Sequence, residues 1–220
     1  MSIFSEKPKL DKSAWNIILW NLTPYWGVYF LHWNPLTVFI CYALETIVIG
    51  IFNAFKLTAV YYFGKEDEEN TVIGGVGAIP IFITSYGLLA YIHLVMFFAL
   101  SGYQEQFAGR KEGNVIVALN YFMDDRTTFL ALGVFVVSNA YAFVNDFILT
   151  QKYVTISMNE QFTEPFPRVI ISQLVVFGGM FLYLLFNESM VIVFVLTSLK
   201  IFFELYLRKH KAADIFGWAS

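Results

Sequence analysis

The chain has 220 residues, of which 58% are hydrophobic and 14% charged, and its mean hydropathy is +0.61. A soluble domain of that length cannot hide so much apolar surface, and a formal net charge of -3 without a long basic run excludes a nucleic-acid surface. Lipid is the expected solvent, and the 19% aromatic content suits lipid-facing surfaces and interfacial belts.

The opening residues, MSIFSEKPKLDK, are polar and basic, with no apolar stretch and no small-residue cleavage site, so no cleaved signal peptide is expected. Crossing the hydrocarbon layer takes roughly 20 apolar residues, and six segments qualify, at about 14–33, 36–63, 72–102, 128–150, 166–186 and 189–207. None reads as a strand. The reading is one all-α polytopic transmembrane domain over residues 1–220, a bundle of six helices.

In the first segment Pro24 removes a backbone donor, as Pro80 does near the start of the third. The break His32-Trp33-Asn34-Pro35 predicts an antiparallel hairpin between segments one and two, and Asn187-Glu188-Ser189 predicts another between five and six. The second and third segments exceed bilayer length, which implies tilt or extension into water. Polar connections occupy 64–71, 103–127 and 151–165, and the apolar patch Val115 to Leu119 predicts an interfacial helix in the second of these. In the fifth segment Gly178 and Gly179 permit close helix approach.

Lys7, Lys9, Lys12, Lys65, Lys152, Arg208, Lys209 and Lys211 fall on the side shared by the termini, against Arg110, Lys111 and Arg126 opposite. That bias places both termini in the cytoplasm and the chain in the cell membrane, multi-pass. The acidic run Glu66-Asp67-Glu68-Glu69 is read as a solvated loop.

Ionisable side chains inside a bilayer each cost on the order of 3 kcal/mol, so function is sought where they gather. On the second segment Glu45, Asn53 and Lys56 lie within about 80° of one another around a helix and form one stripe. Asn139 and Asp146 share a face of the fourth. Arg168 opens the fifth, followed by Ser172 and Gln173, and Thr197, Lys200 and Glu204 share a face of the sixth. Lys56, Arg168 and Lys200 balance Glu45, Asp146 and Glu204, so stripes turned inward could form a neutral network. Against that stands snorkelling of Lys56, Asp146, Arg168 and Lys200 into headgroups, and a purely structural hydrogen-bonding role for Glu45. Tyr86 and His93, seven apart, share a face of the third segment.

Chemistry with a familiar signature is missing. The single cysteine, Cys41, rules out an intrachain disulfide and a thiolate zinc site, and His32, His93 and His210 lie too far apart in the reading for a haem or zinc centre. No P-loop, nucleotide-binding glycine fingerprint, HExxH, GxSxG, CxxC or potassium-filter sequence occurs. No cofactor and no metal is expected.

Asn34-Pro35 ahead of a span with Glu45, Tyr86-Gly87 with His93, Pro167-Arg168 opening a helix, and Lys200 with Glu204 resemble an uncharacterised family of prokaryotic six-span membrane proteins over most of the chain. Members tend to carry His before the Tyr-Gly pair, His in the middle of the fifth span and Asp near the end, where this chain has Ser85, Gln173 and Glu204. The resemblance implies the fold and no activity, and the departures argue further against a metal.

Three functions follow as expectations. The first is an ion or proton channel or small transporter, with Glu45 as carrier carboxylate, Lys200 and Glu204 setting its charge, and Tyr86 and His93 continuing outward. The second is an enzyme acting on a lipid or quinone, with Glu45 or His93 as base and Arg168 or Lys200 holding an anionic headgroup. The third is a receptor-like or scaffold subunit whose buried charges fix helix register. The expected partners are membrane lipids and a small ion or proton. A 25.3 kDa chain is little material for a wide pore, so any pathway is narrow or built between copies in a homo-oligomer.

Overall fold

The computed structural model describes residues 12–33, 35–64, 77–100, 126–186 and 189–209, with Asn120 and Met123, and every long element among them is helical. The order is α1 (Lys12–Leu31), α2 (Pro35–Phe63), α3 (Ala78–Leu100), α4 (Arg126–Ala142), a π-helical continuation over Phe143–Ile148, a 3-10 turn over Lys152–Val154, the short α5 (Met158–Thr163), α6 (Pro165–Phe186) and α7 (Ser189–Lys209). No strand occurs among the described residues.

Among the described residues, four stretches are long and apolar enough to cross a membrane: Thr37–Phe63, Ala78–Ala99, Arg126–Ile148 and Met158–Leu182. They coincide with segments two to five of the sequence reading, and α1 and α7, of 20 and 21 residues, flank them. Of the third segment the structure describes the helix Ala78–Leu100, and residues 72–76, 101 and 102 lie outside the described residues. Its helix begins at Ala78, so Pro80 sits in the first turn, where a missing donor costs little. The interfacial helix expected around Val115 to Leu119 lies outside the described residues.

The α1–α2 hairpin is closed by a helix stop. His32 takes a left-handed backbone with φ 53°, and Trp33 N donates to Gly27 O at 3.1 Å, returning the chain over the end of α1. The Trp33 ring then lies directly on Gly27, where a Cβ would collide with it. Pro35 starts the next helix immediately.

α2 is the axis of the bundle. Val38 through Thr46 are all buried, and the helix packs against every other α-helix among the described elements. One core layer, near Trp33, joins Phe39, Tyr42, Leu94, Phe97, Phe135, Val176, Met180, Val193 and Leu196. A second, toward α5, joins Leu57, Phe82, Tyr86, Phe147, Phe162 and Val169. Gly179 lets α6 close on both neighbours, because a Cβ there would run into Leu196 and Phe39. Gly178 faces outward and meets nothing within 4 Å, so only one of the two glycines makes the close approach.

The other faces are apolar too. Leu19, Trp26, Ile83, Leu88, Phe129, Leu130, Leu174, Phe181, Phe194 and Phe202 are all exposed, as in helices solvated by acyl chains. The polar stretch expected over 151–165 contains structure instead. α4 loosens into a π turn with Leu149 N bonding Val144 O at 2.9 Å, Gln151 adopts φ 54°, and Ser157 then caps α5 by accepting from Glu160 N at 3.1 Å. Pro165 and Pro167 follow as α5 passes into α6.

Candidate functional site

Four charged side chains from three helices close a ring in the interior. Glu45 on α2 accepts from Arg168 Nη2 through Oε1 at 3.1 Å and from Lys200 Nζ through Oε2. Glu204 Oε1 lies 3.4 Å from Arg168 Nε and 3.6 Å from Lys200 Nζ. A fourth helix joins through Asn21 of α1, whose amide donates to Glu204 Oε2 at 2.9 Å. Lys200 and Glu204 share a face because they are four apart on α7, and Arg168 reaches both carboxylates from the first turn of α6.

The ring contains two carboxylates and two cations, so it is neutral. Neutrality matters because desolvating an ion costs several kcal/mol, and only opposite charges at close range recover that cost. Lys200 is 0% exposed, Glu45 2% and Glu204 7%, while the Arg168 side chain keeps 34% of its surface. The Lys200 ammonium also stands 4.2 Å from the Tyr42 ring centre and 5.6 Å from that of Phe135 on α4. Tyr42 is fixed in turn by its hydroxyl, 3.1 Å from Thr197 Oγ1.

A second network lies toward α5. Asn53 and Gln161 bond each other twice: Gln161 Nε2 donates to Asn53 Oδ1 at 2.6 Å, and Asn53 Nδ2 to Gln161 O at 3.2 Å. Gln161 Nε2 also donates to Glu164 Oε2, at 2.6 Å. Glu164 then receives Lys56 at 3.3 Å and Lys152 at 3.2 Å, one on each oxygen. These three charged groups are partly exposed, so their pairing is weaker than that of the ring.

A third chain of contacts runs toward the α1–α2 turn. Tyr86 donates to the Thr46 carbonyl at 2.8 Å, and His93 Nδ1 lies 3.3 Å from Thr46 Oγ1. Tyr86 can reach that carbonyl because its ring lies against Gly50, where any Cβ would clash. Gln173 donates to Leu89 O at 3.3 Å and ties α6 to α3 beside it.

The sequence-derived residues therefore separate into groups. Glu45, Arg168, Lys200 and Glu204 form the ring, Asn53 and Lys56 enter the second network, and Tyr86 and His93 meet at Thr46. Asn139 stays outside, donating to Phe135 O on its own helix at 2.9 Å. Asp146 is exposed on the π turn, in keeping with the headgroup alternative and not with a place in the inward network, and the carboxylate at Lys56 is Glu164. Asn21, Tyr42, Thr46, Gln161 and Glu164 also enter these networks, and sequence reasoning alone misses them. Ser157-Met158-Asn159-Glu160 is a capping-box pattern that signals a helix in which Gln161 and Glu164 share a face. No group of three His, Cys, Asp or Glu able to hold a metal occurs among the described residues.

Residues 4–215 match the family of unknown function DUF6498, and the chain belongs to that family. No curated protein and no solved structure matches it.

Proposed function

We propose that this member of the family is a multi-pass cell-membrane protein of six spans, with both termini in the cytoplasm, that works as a proton or small-ion channel or transporter. α1 and α7 complete the six: they close on each other and on the helices that carry the ring. One observation carries the functional reading. Glu45 is shared between cations on two different helices, and each of those cations also faces Glu204. When a proton neutralises either carboxylate, both cations still face the other acid, so the ring can take up a proton by exchanging partners, at the cost of one positive charge in excess.

Two separate polar clusters flank the ring along α2. Tyr86, Thr46 and His93 lead toward the α1–α2 turn, and Asn53, Gln161, Glu164 and Lys56 lead toward α5. Burial of Glu45 and His93 gives a lipid or quinone no approach to either group, which speaks against the enzymatic alternative. Purified protein in liposomes with an imposed pH or ion gradient is the test. Wild-type flux that Glu45→Gln lowers by about tenfold or more supports the reading. Absence of proton, Na⁺, K⁺ and Ca²⁺ flux, with no difference in Glu45→Gln, ends it.

The completeness of the pairing favours a second reading. Every ring charge already has an opposite neighbour, as expected if the ring fixes helix register in a receptor-like or scaffold subunit. Neutral replacements would then keep the fold and abolish copurification with a fixed partner protein.

A further inference from the structure

The Lys200 ammonium is held in the way a bound ion is held. It is sealed from solvent between Glu45 Oε2 and Glu204 Oε1, with the Tyr42 ring 4.2 Å and the Phe135 ring 5.6 Å away. These are the elements of a cation site: two anionic oxygens from different helices and aromatic faces that exclude water. Glu204 Oε1 is buried and stands 3.4 Å from Arg168 Nε and 3.6 Å from Lys200 Nζ, so it faces the ammonium as a second anionic oxygen.

Charge then selects the class of ion. Without the ammonium the cage would hold Glu45, Glu204 and Arg168, one negative charge in excess. A single monovalent cation restores neutrality, whereas a divalent ion would leave one positive charge in excess in a low-dielectric interior. We propose that the space around Lys200 Nζ is a monovalent-cation site whose occupant is the protein's own tethered ammonium. The native chain accordingly takes no metal ion there, and on the transport reading above, on which this last step rests, the species moved is the proton.

The test compares full-length wild type, Lys200→Ala and Glu45→Gln/Lys200→Ala in detergent. Thermal unfolding is followed at constant ionic strength in N-methyl-D-glucamine, K⁺, Na⁺ or methylammonium chloride. Lys200→Ala is expected to melt lowest with the bulky cation and to gain about 5 °C, saturably, with K⁺ or methylammonium. Wild type and the double variant, which lacks one of the two carboxylates and is neutral, are expected to show no such gain. An equal response of all three proteins overturns the assignment, and so does a Lys200→Ala protein indifferent to the cation. Failure to recover folded Lys200→Ala in any of the four salts, while the double variant is recovered, also overturns it. Wild-type proton flux in liposomes free of Na⁺ and K⁺ separates the two claims. Cation rescue without flux leaves the cage standing and removes the transport reading, and flux without rescue does the reverse.

Discussion

Arg168 and Glu45 are separated by 123 residues of chain, yet Nη2 and Oε1 meet at 3.1 Å across the α2–α6 interface. That contact is one side of a closed circuit, since Arg168 also faces Glu204, and Lys200 faces both acids. Removing one member leaves its neighbours uncompensated, whereas removing an opposite pair does not.

Glu45→Gln should therefore be strongly destabilising, by about 3–5 kcal/mol, because it leaves a buried cation in excess. Glu45→Gln/Lys200→Met should restore most of that loss. Thermal or denaturant unfolding of the two single variants and the double variant reads the coupling, and simple additivity would contradict the ring.

Asn21→Leu tests the participation of α1. It removes the amide bonded to Glu204 Oε2 at 2.9 Å, leaving a buried carboxylate oxygen short of a donor. The expected loss is about 1–3 kcal/mol, measured as unfolding stability. Combined with Glu204→Gln, the same substitution should cost less than it does alone.

The paired glycines give an internal control. Gly179→Val must push against Phe39 and Leu196, so it should destabilise by about 1–3 kcal/mol, whereas Gly178→Val points into open space and should be near neutral. Comparison of the two melting temperatures decides it.

Glu164→Gln should behave unlike the ring variants. Lys56 and Lys152 are partly exposed, and water and salt screen what the substitution leaves behind. A loss of about 1 kcal/mol at low ionic strength that shrinks as salt rises is expected, read from melting curves across a salt series.

Cys41 is buried and should resist membrane-permeant thiol reagents in the folded protein and react once it is unfolded. Its replacement gives a background for topology mapping. Cysteines introduced at His32 and Gln151 should label from opposite faces of the membrane, with Gln151 reached from the cytoplasm. Labelling of both from one face would refute the proposed six-span arrangement.

Much of the architecture could be read from the residues, because a helix in lipid satisfies its own backbone and announces itself by apolar length alone. Segments two, four and five needed little more. The ring was partly legible: Glu45, Lys200 and Glu204 stood out as ions amid apolar runs, and three- and four-residue spacing put the last two on one face. Partners were harder to read, since charge balance can be met by several sets, and it selected Asp146 over Glu164. Glu164 was hidden by its setting in a polar connection between α4 and α6. Asn21 carries no charge, and nothing local to α1 says that it meets a carboxylate 183 positions later.

The same separation along the chain bears on biogenesis. Glu45 leaves the ribosome 123 residues before Arg168 and 155 before Lys200, so α2 reaches the bilayer with its acid uncompensated. At roughly 5–20 residues per second the delay before Lys200 is made is on the order of ten seconds. A nascent chain halted before α6 is expected to be held by the insertion machinery or degraded, and completion of the last hairpin is expected to relieve the first of its uncompensated charge.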